Sequence, residues 1–312
     1  MADKTVRSGS LQFYPRKRAA KILPSANWGN IVERNKDASG FLGVVCYKVG
    51  MVSVYVKNNT EDSMVKGKRV VIPGTIVECP VMKIYCVRFY KDKKVIGEII
   101  VSNERDLKRR VKVPKILKKV EDFKKEFDDV RVIVYVVGRG RKPNMVELGL
   151  AGGKDDKLKL IKEKIEKGIS VADVLGEGLV DVHGVTKGKG LQGPVKRFGI
   201  TLKAKKSEKG QRRPGSLAPW NPSRVTFRAP QAGQVGLFSR IAYNNIILQV
   251  GKISEKDINK ESGFHKYGKI KSDYVILKGS IPGPRKKILL LTKSFRGSKK
   301  KAKQKFEVLG LR

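Results

Sequence analysis

Residues 187–230 cannot build a core of their own. They hold 12 Lys+Arg against one acid, Glu208, together with six glycines and five prolines, and neither the 2-residue nor the 3.6-residue apolar period runs through them. A stretch of more than forty residues without periodicity is unusual inside a compact domain and is generally functional or disordered. Its composition favours a long loop that is ordered by a partner. Within it, "GSLAPWNPSRVTF" (215–227) sets Trp220 between prolines. Tryptophan usually goes where a large apolar surface can be buried, and nothing in the local pattern buries this one.

The charge of the whole chain says what kind of partner that is. The 312 residues carry 69 Lys+Arg against 29 Asp+Glu, a formal net charge of +40, with a pI near 10.2. Self-repulsion of that size opposes compaction unless a polyanion neutralises it, so nucleic acid is the expected partner. The excess is uneven. Residues 118–180 hold 14 Lys+Arg and 12 Asp+Glu, the balance of an ordinary solvated surface, whereas residues 284–312 hold 11 Lys+Arg and one acid. The closing lysine run is either a second anchor or only a solubilising tail.

With 40% hydrophobic residues the chain has enough apolar surface for a real core, in one large domain or two smaller ones. The N-terminal residues lack an apolar signal region, and no apolar run approaches the ~18 residues of a membrane span. The expectation is a soluble, cytoplasmic protein without a membrane partner. Cys46, Cys79 and Cys86 form no C-x-x-C pair, and only His183 and His265 accompany them. They read as reduced core residues, with no metal and no cofactor expected.

Residues 40–57, 68–80, 81–90 and 94–101 are rich in β-branched and aromatic residues and punctuated by Gly or Pro, as consecutive strands of a small barrel or curled sheet would be. Residues 114–127 and 154–168 have helical spacing around the strand-like 130–138, an α/β insertion. Strand character returns at 179–186, 243–253, 273–279 and 286–295. The expected organisation is a basic N-terminal extension (1–38), a discontinuous β core (39–102, 169–186 and 231–295), the insertion (103–168), a basic central extension (187–230) and a basic C-terminal tail (296–312).

Three motifs invite enzymatic readings. Gly188, Gly190 and Gly193 make a formal G-x-G-x-x-G with Glu208 downstream. A dinucleotide site needs a helix opening there, and "PVKRFG" shows no helical pattern. "GVTKGKG" has the wrong spacing for a phosphate-binding P-loop. Asp181 and His183 share one face of a strand, which allows an acid-oriented base. With no nucleophile or metal beside it, His183 reads as a structural or RNA-contacting residue.

Four stretches in order, "DVHGVTKGKGLQGPVKRFG" (181–199), "LAPWNPSRV" (217–225), "PQAGQVGLFSR" (230–240) and "VILKGSIPGPRKK" (275–287), resemble the large-subunit ribosomal protein L3 family. "SLQFYPRKRA" (10–19) and the insertion resemble its archaeal and eukaryotic branch, and the length is that of an archaeal member. The resemblance implies a mainly β protein with a translation-protein-type β-barrel, an α/β insertion, basic termini and a long basic extension that penetrates ribosomal RNA toward the peptidyl transferase centre. It implies no enzymatic activity and no small-molecule substrate. Its implied partners are large-subunit ribosomal RNA and neighbouring ribosomal proteins, and its implied roles are early subunit assembly and an influence on tRNA accommodation at the A site. Eukaryotic members carry a histidine before the apical tryptophan, whereas residues 203–219 contain none.

The residues themselves suit that reading. Lys187, Lys189, Lys196 and Arg197 sit among glycines that let backbone approach phosphates, and Lys203, Lys205, Lys206, Lys209, Arg212 and Arg213 can neutralise converging strands. The candidate RNA-contacting set also takes in Arg16, Lys17, Arg18, Trp220, Arg224, Arg228, Arg240, Arg285 and Lys286, in or beside the quoted motifs. Trp220 is expected to stack on RNA or fill a crevice in it, the alternative being an indole folded back onto the core. Two other functions remain open on sequence grounds, an RNA-modifying enzyme and an architectural DNA-binding protein.

Overall fold

The computed structural model describes residues 13–35, 39–138, 140, 142–206 and 209–312. Residues 1–12 and 36–38 of the expected N-terminal extension, and Glu208, lie outside the described residues. In chain order the elements are α1 (Trp28–Arg34), β1 (Gly40–Phe41), β2 (Gly43–Asn58), β3 (Arg69–Cys79), β4 (Lys83–Lys91), β5 (Lys94–Ile100), β6 (Asp129–Val136), β7 (Asn144–Ala151), α2 (Lys154–Lys167), β8 (Leu179–Val185) and β9 (Leu191–Gln192). They continue with α3 (Pro194–Phe198), β10 (Gly233–Gln234), β11 (Ser239–Gly251), β12 (Asp273–Lys278), β13 (Ile288–Lys293), α4 (Lys299–Ala302) and β14 (Phe306–Leu311). The protein is mainly β. It divides into two compact units, Met1–Pro24 with Val185–Arg240, and Ser25–Gly184 with Ile241–Arg312.

The larger unit holds two sheets. One has the order β13-β8-β11-β12-β3-β2-β14, and β13 also pairs with β2. Six strands therefore form a closed ring, with β14 added to the outer edge of β2. Closure leaves the ring strands without free edges. Val275, Ile276 and Leu277 of β12 and Leu289, Leu290 and Leu291 of β13 are all buried, giving continuous apolar runs rather than an alternation. Phe306–Leu311 lies within the stretch expected as a basic tail, yet it pairs with β2 from Asn58 to Val54. Its few apolar residues follow a lysine run, and only the unoccupied edge of β2 makes them a strand.

The second sheet is antiparallel, in the order β1-β7-β6-β4-β5, so the strands 83–100 belong with those of the insertion. Helix α2 contributes buried Lys157 and Ile161, and Lys157 Nζ donates to Asp129 Oδ1 at 2.7 Å. Trp28 of α1 is 4% exposed and is seated on glycine: a Cβ at Gly149 would lie 2.9 Å from its Cε3. Any side chain there would displace the indole.

The helix expected over 114–127 does not form. The chain runs as an irregular strap with a single 3-10 turn at Val120–Asp122. Phe123 stacks on Phe89 with centroids 3.9 Å apart, and Phe127 meets the same ring edge-on at 5.0 Å. The i, i+4 spacing of these two phenylalanines looks helical. Embracing Phe89 from two sides needs an extended backbone, and a short isolated helix is too marginal to resist.

Candidate nucleic-acid interface

The smaller unit begins as two arms zipped together. Thr186 donates its N–H to Phe238 O at 2.9 Å, Lys189 to Val235 O at 2.9 Å, and Val235 to Gly190 O at 3.0 Å. Strands β9 and β10 extend the zip through Gly233↔Gln192 and Gln234↔Leu191. The arms approach so closely at Gly236 (φ +72°) that a Cβ there would stand 2.0 Å from Lys187 O. The N-terminal segment joins the same ladder, Ala19 N–H donating to Leu237 O at 2.7 Å.

Contrary to the sequence expectation, "PVKRF" is a helix of one turn. Pro194 occupies its first position and Gly199, in the left-handed region, ends it, which is the asymmetry that marks short helices. The dinucleotide reading gains nothing from this. The preceding strand β9 has two residues and pairs only with β10, so the βαβ unit that such a site requires is not built.

Arg197, on that helix, is turned inward. Its guanidinium donates to Gln234 O at 3.2 Å, to Gln231 O at 3.1 Å and to Arg16 O at 3.4 Å. Arg16 answers by donating from Nη1 to Arg197 O and from Nη2 to Tyr14 Oη at 3.2 Å, with its charge 4.6 Å from the centroid of Phe198. Burial, reinforced by the Arg16 charge, lowers the Arg197 pKa, against the opposing pull of Tyr14. These two candidate residues bind the N-terminal segment and both arms into one body.

Most of the other candidates point to solvent. Lys17, Arg18, Lys187, Lys189, Lys196, Lys203, Lys205, Lys206, Lys209, Arg212, Arg213, Arg224 and Arg228 are exposed. The unit's sequence contains six Lys+Arg in 1–24 and thirteen in 185–240, against Asp3 and Glu208 alone. Arg240 is half-buried, 4.4 Å from the ring centroid of Phe13. Arg285 and Lys286 belong to the larger unit, where both are exposed in the turn before β13 and Lys286 N–H donates to Lys48 O at 2.8 Å.

Trp220 is 97% exposed, so it does not fold back onto the core. Two further large apolar side chains of this unit, which the sequence did not single out, are exposed: Leu191 at 76% and Phe227 at 63%. Arg228 lies over the Phe227 ring at 5.5 Å, and that aromatic-arginine adjacency was the available signal. Large apolar side chains displayed among exposed cations suit the flat faces and phosphates of a nucleic acid.

The enzymatic candidates are structural. Asp181 is buried and accepts the N–H of Asn244 at 2.8 Å and of Phe295 at 2.9 Å. His183 Nε2 meets Thr292 Oγ1 at 3.1 Å inside the core, and burial lowers its pKa although Asp181 pulls the other way. Cys46, Cys79 and Cys86 are buried and unbridged. No group of residues among those described could hold a metal ion, and no described helix is long and apolar enough to cross a membrane.

The chain is 39% identical to the large ribosomal subunit protein uL3 of Methanothermobacter thermautotrophicus, over 94% of this chain and 93% of the relative. It is 39% identical to uL3 of Archaeoglobus fulgidus over 94% and 92%, and 35% identical to uL3 of Methanocaldococcus jannaschii over 93% and 91%. Matches to the family described as Ribosomal protein L3 span residues 2–98 and 93–309, taking in both units and the cationic arms between β8 and β11, and on that footing the chain belongs to the ribosomal protein L3 family.

Proposed function

We propose that the chain is a structural constituent of the large ribosomal subunit, holding ribosomal RNA through its smaller unit and supporting early subunit assembly. It is not an enzyme. One observation carries the reading: a folded body with nineteen cations and two acids in its sequence displays a tryptophan that is 97% exposed. Phosphate contacts give such a body affinity and position without reading sequence, while the aromatic side chains hold unpaired bases.

In this reading the six-stranded ring is a barrel of the translation-protein type, and residues 187–230 are the extension that enters RNA near the peptidyl transferase centre. Arg16 and Arg197 hold that extension together, and the exposed cations of the candidate set touch phosphate. Neighbouring large-subunit proteins are the other partners. The test is retention on large subunits through a high-salt wash, combined with binding to protein-free large-subunit RNA and to duplex DNA at matched salt. Retention and a preference for the structured RNA are expected. Release by the wash, or equal binding to both nucleic acids, would overturn the proposal.

A further inference from the structure

The larger unit carries a cationic surface that owes nothing to the extension. Residues 101–119, "VSNERDLKRRVKVPKILKK", hold eight Lys+Arg against Glu104 and Asp106. The strap is anchored from beneath. Leu107 is fully buried with Tyr85, Cys86 and Tyr135, and Val111 and Val113 pack against the same cluster. Between and beside these anchors Arg105, Lys108, Lys112, Lys115 and Lys118 are exposed, and among the described residues none of them forms an ion pair.

Four of the nearby carboxylates are already engaged, and a fifth, Glu166, lines a surface cleft with Lys118 and Lys119. Glu104 takes Lys83 at 2.6 Å, Asp106 takes Arg109 at 3.7 Å, and Glu121 takes Lys162 at 2.6 Å, while Asp122 accepts the Lys119 N–H at 2.9 Å. These acids thus leave Arg105, Lys108, Lys112 and Lys115 uncompensated, Glu166 lying only at the Lys118 end. Ile116 is 83% exposed in the middle of it, an apolar side chain with no cover from the protein. The anchoring fixes the backbone in advance, so ordering it on binding costs little entropy.

We infer that residues 105–118 form a second RNA-docking surface, in which Arg105, Lys108, Lys112, Lys115 and Lys118 bind the phosphodiester backbone of large-subunit RNA and Ile116 is covered by it. The inference rests on the proposed ribosomal function and adds a contact site remote in sequence from residues 187–230. Charge complementarity selects the partner, because a strap with eight cations and two acids, both of those acids held in ion pairs, suits a polyanion.

Lysine acylation with a water-soluble ester, read by mass spectrometry, tests it in the free protein and in assembled large subunits. Lys108, Lys112, Lys115 and Lys118 should react in the free chain, be shielded in the subunit alongside Lys203, Lys205 and Lys206, and become reactive again after ribonuclease treatment. Strap lysines that stay reactive in the subunit while the extension lysines are shielded would overturn this inference and leave the ribosomal function standing. Reactivity of both sets would overturn both. Shielding that survives ribonuclease would mean a protein partner and would also overturn the inference.

A second measurement uses the full chain with Lys108, Lys112, Lys115 and Lys118 all changed to Gln, binding protein-free large-subunit RNA. The slope of log K against log salt should fall by about 3, four contacts each contributing roughly 0.7 to 0.9. An unchanged slope, with circular dichroism confirming the fold, would overturn the inference.

Discussion

Arg16 and Arg197 each donate a guanidinium N–H to the other's backbone carbonyl, Arg197 Nη2 reaching Arg16 O at 3.4 Å and Arg16 Nη1 reaching Arg197 O. Two cations with no carboxylate between them are held side by side because carbonyl dipoles and the rings of Tyr14 and Phe198 take up their charge. Arg197→Ala removes three donors at once and should lower the opening free energy of this body by about 2 to 3 kcal/mol, the worth of a charge-assisted hydrogen bond or two. Amide hydrogen exchange at Ala19, Lys189 and Val235 reads the change. Arg197→Lys should recover little, since a single ammonium cannot span carbonyls lying in three directions.

Gly236 and Gly190 both have positive φ, +72° and +65°, but a Cβ at Gly236 meets Lys187 O while one at Gly190 meets nothing within 4 Å. Gly190→Ala should therefore cost only the left-handed backbone strain, about 1 to 2 kcal/mol. Gly236→Ala adds a clash with backbone that cannot rotate away, and should open the zip between the arms. Limited proteolysis within 187–238 distinguishes them: the first variant should resist like the parent, the second should be cut rapidly.

Trp220→Ala and the neutralisation of extension lysines should differ in kind. The indole is almost fully exposed, so the free protein should keep its melting temperature. Affinity for large-subunit RNA should fall by about 1 to 3 kcal/mol with the salt slope unchanged, as expected for a lost stacking contact. Lys205→Gln with Lys206→Gln should instead lower the slope by roughly 1.5 to 2. Isothermal titration across a salt series separates the two.

Asp173 predicts an acid limb of stability in the larger unit. Burial alone would raise its pKa. Hydrogen bonds from Lys164 and from the N–H and Oγ of Ser170 outweigh this and hold it below the usual aspartate value, the Lys164 Nζ lying 2.9 Å away. Because the folded pKa is depressed, the stabilisation is present above the unfolded value near 4 and is lost as pH falls through the folded one. Lys164→Gln should cost less than about 1 kcal/mol at pH 6 after solvent screening. Urea midpoints of the variant and the parent should converge as pH falls below the folded pKa of Asp173.

Much of this protein is legible in its chain because the governing physics is local. Runs such as 273–278 and 288–293 are too apolar to be anything but buried, and they became β12 and β13. The single-sign charge of 187–230 demands a polyanion whatever its conformation, and the family-like stretches around it are contiguous. Tertiary structure decided the rest, wherever the partner of a residue is far away in sequence. Phe123 and Phe127 have helical spacing but pack on Phe89 of β4, and the edge of β2 makes a strand of residues 306–311. Charge counted along the chain could not tell Arg197, drawn inward by three carbonyls, from the neighbouring Lys196 that faces solvent. Nor could it show that Glu104 and Asp106 within the strap are already paired, because a hydrogen bond or ion pair depends on distance in space and composition records only what is present.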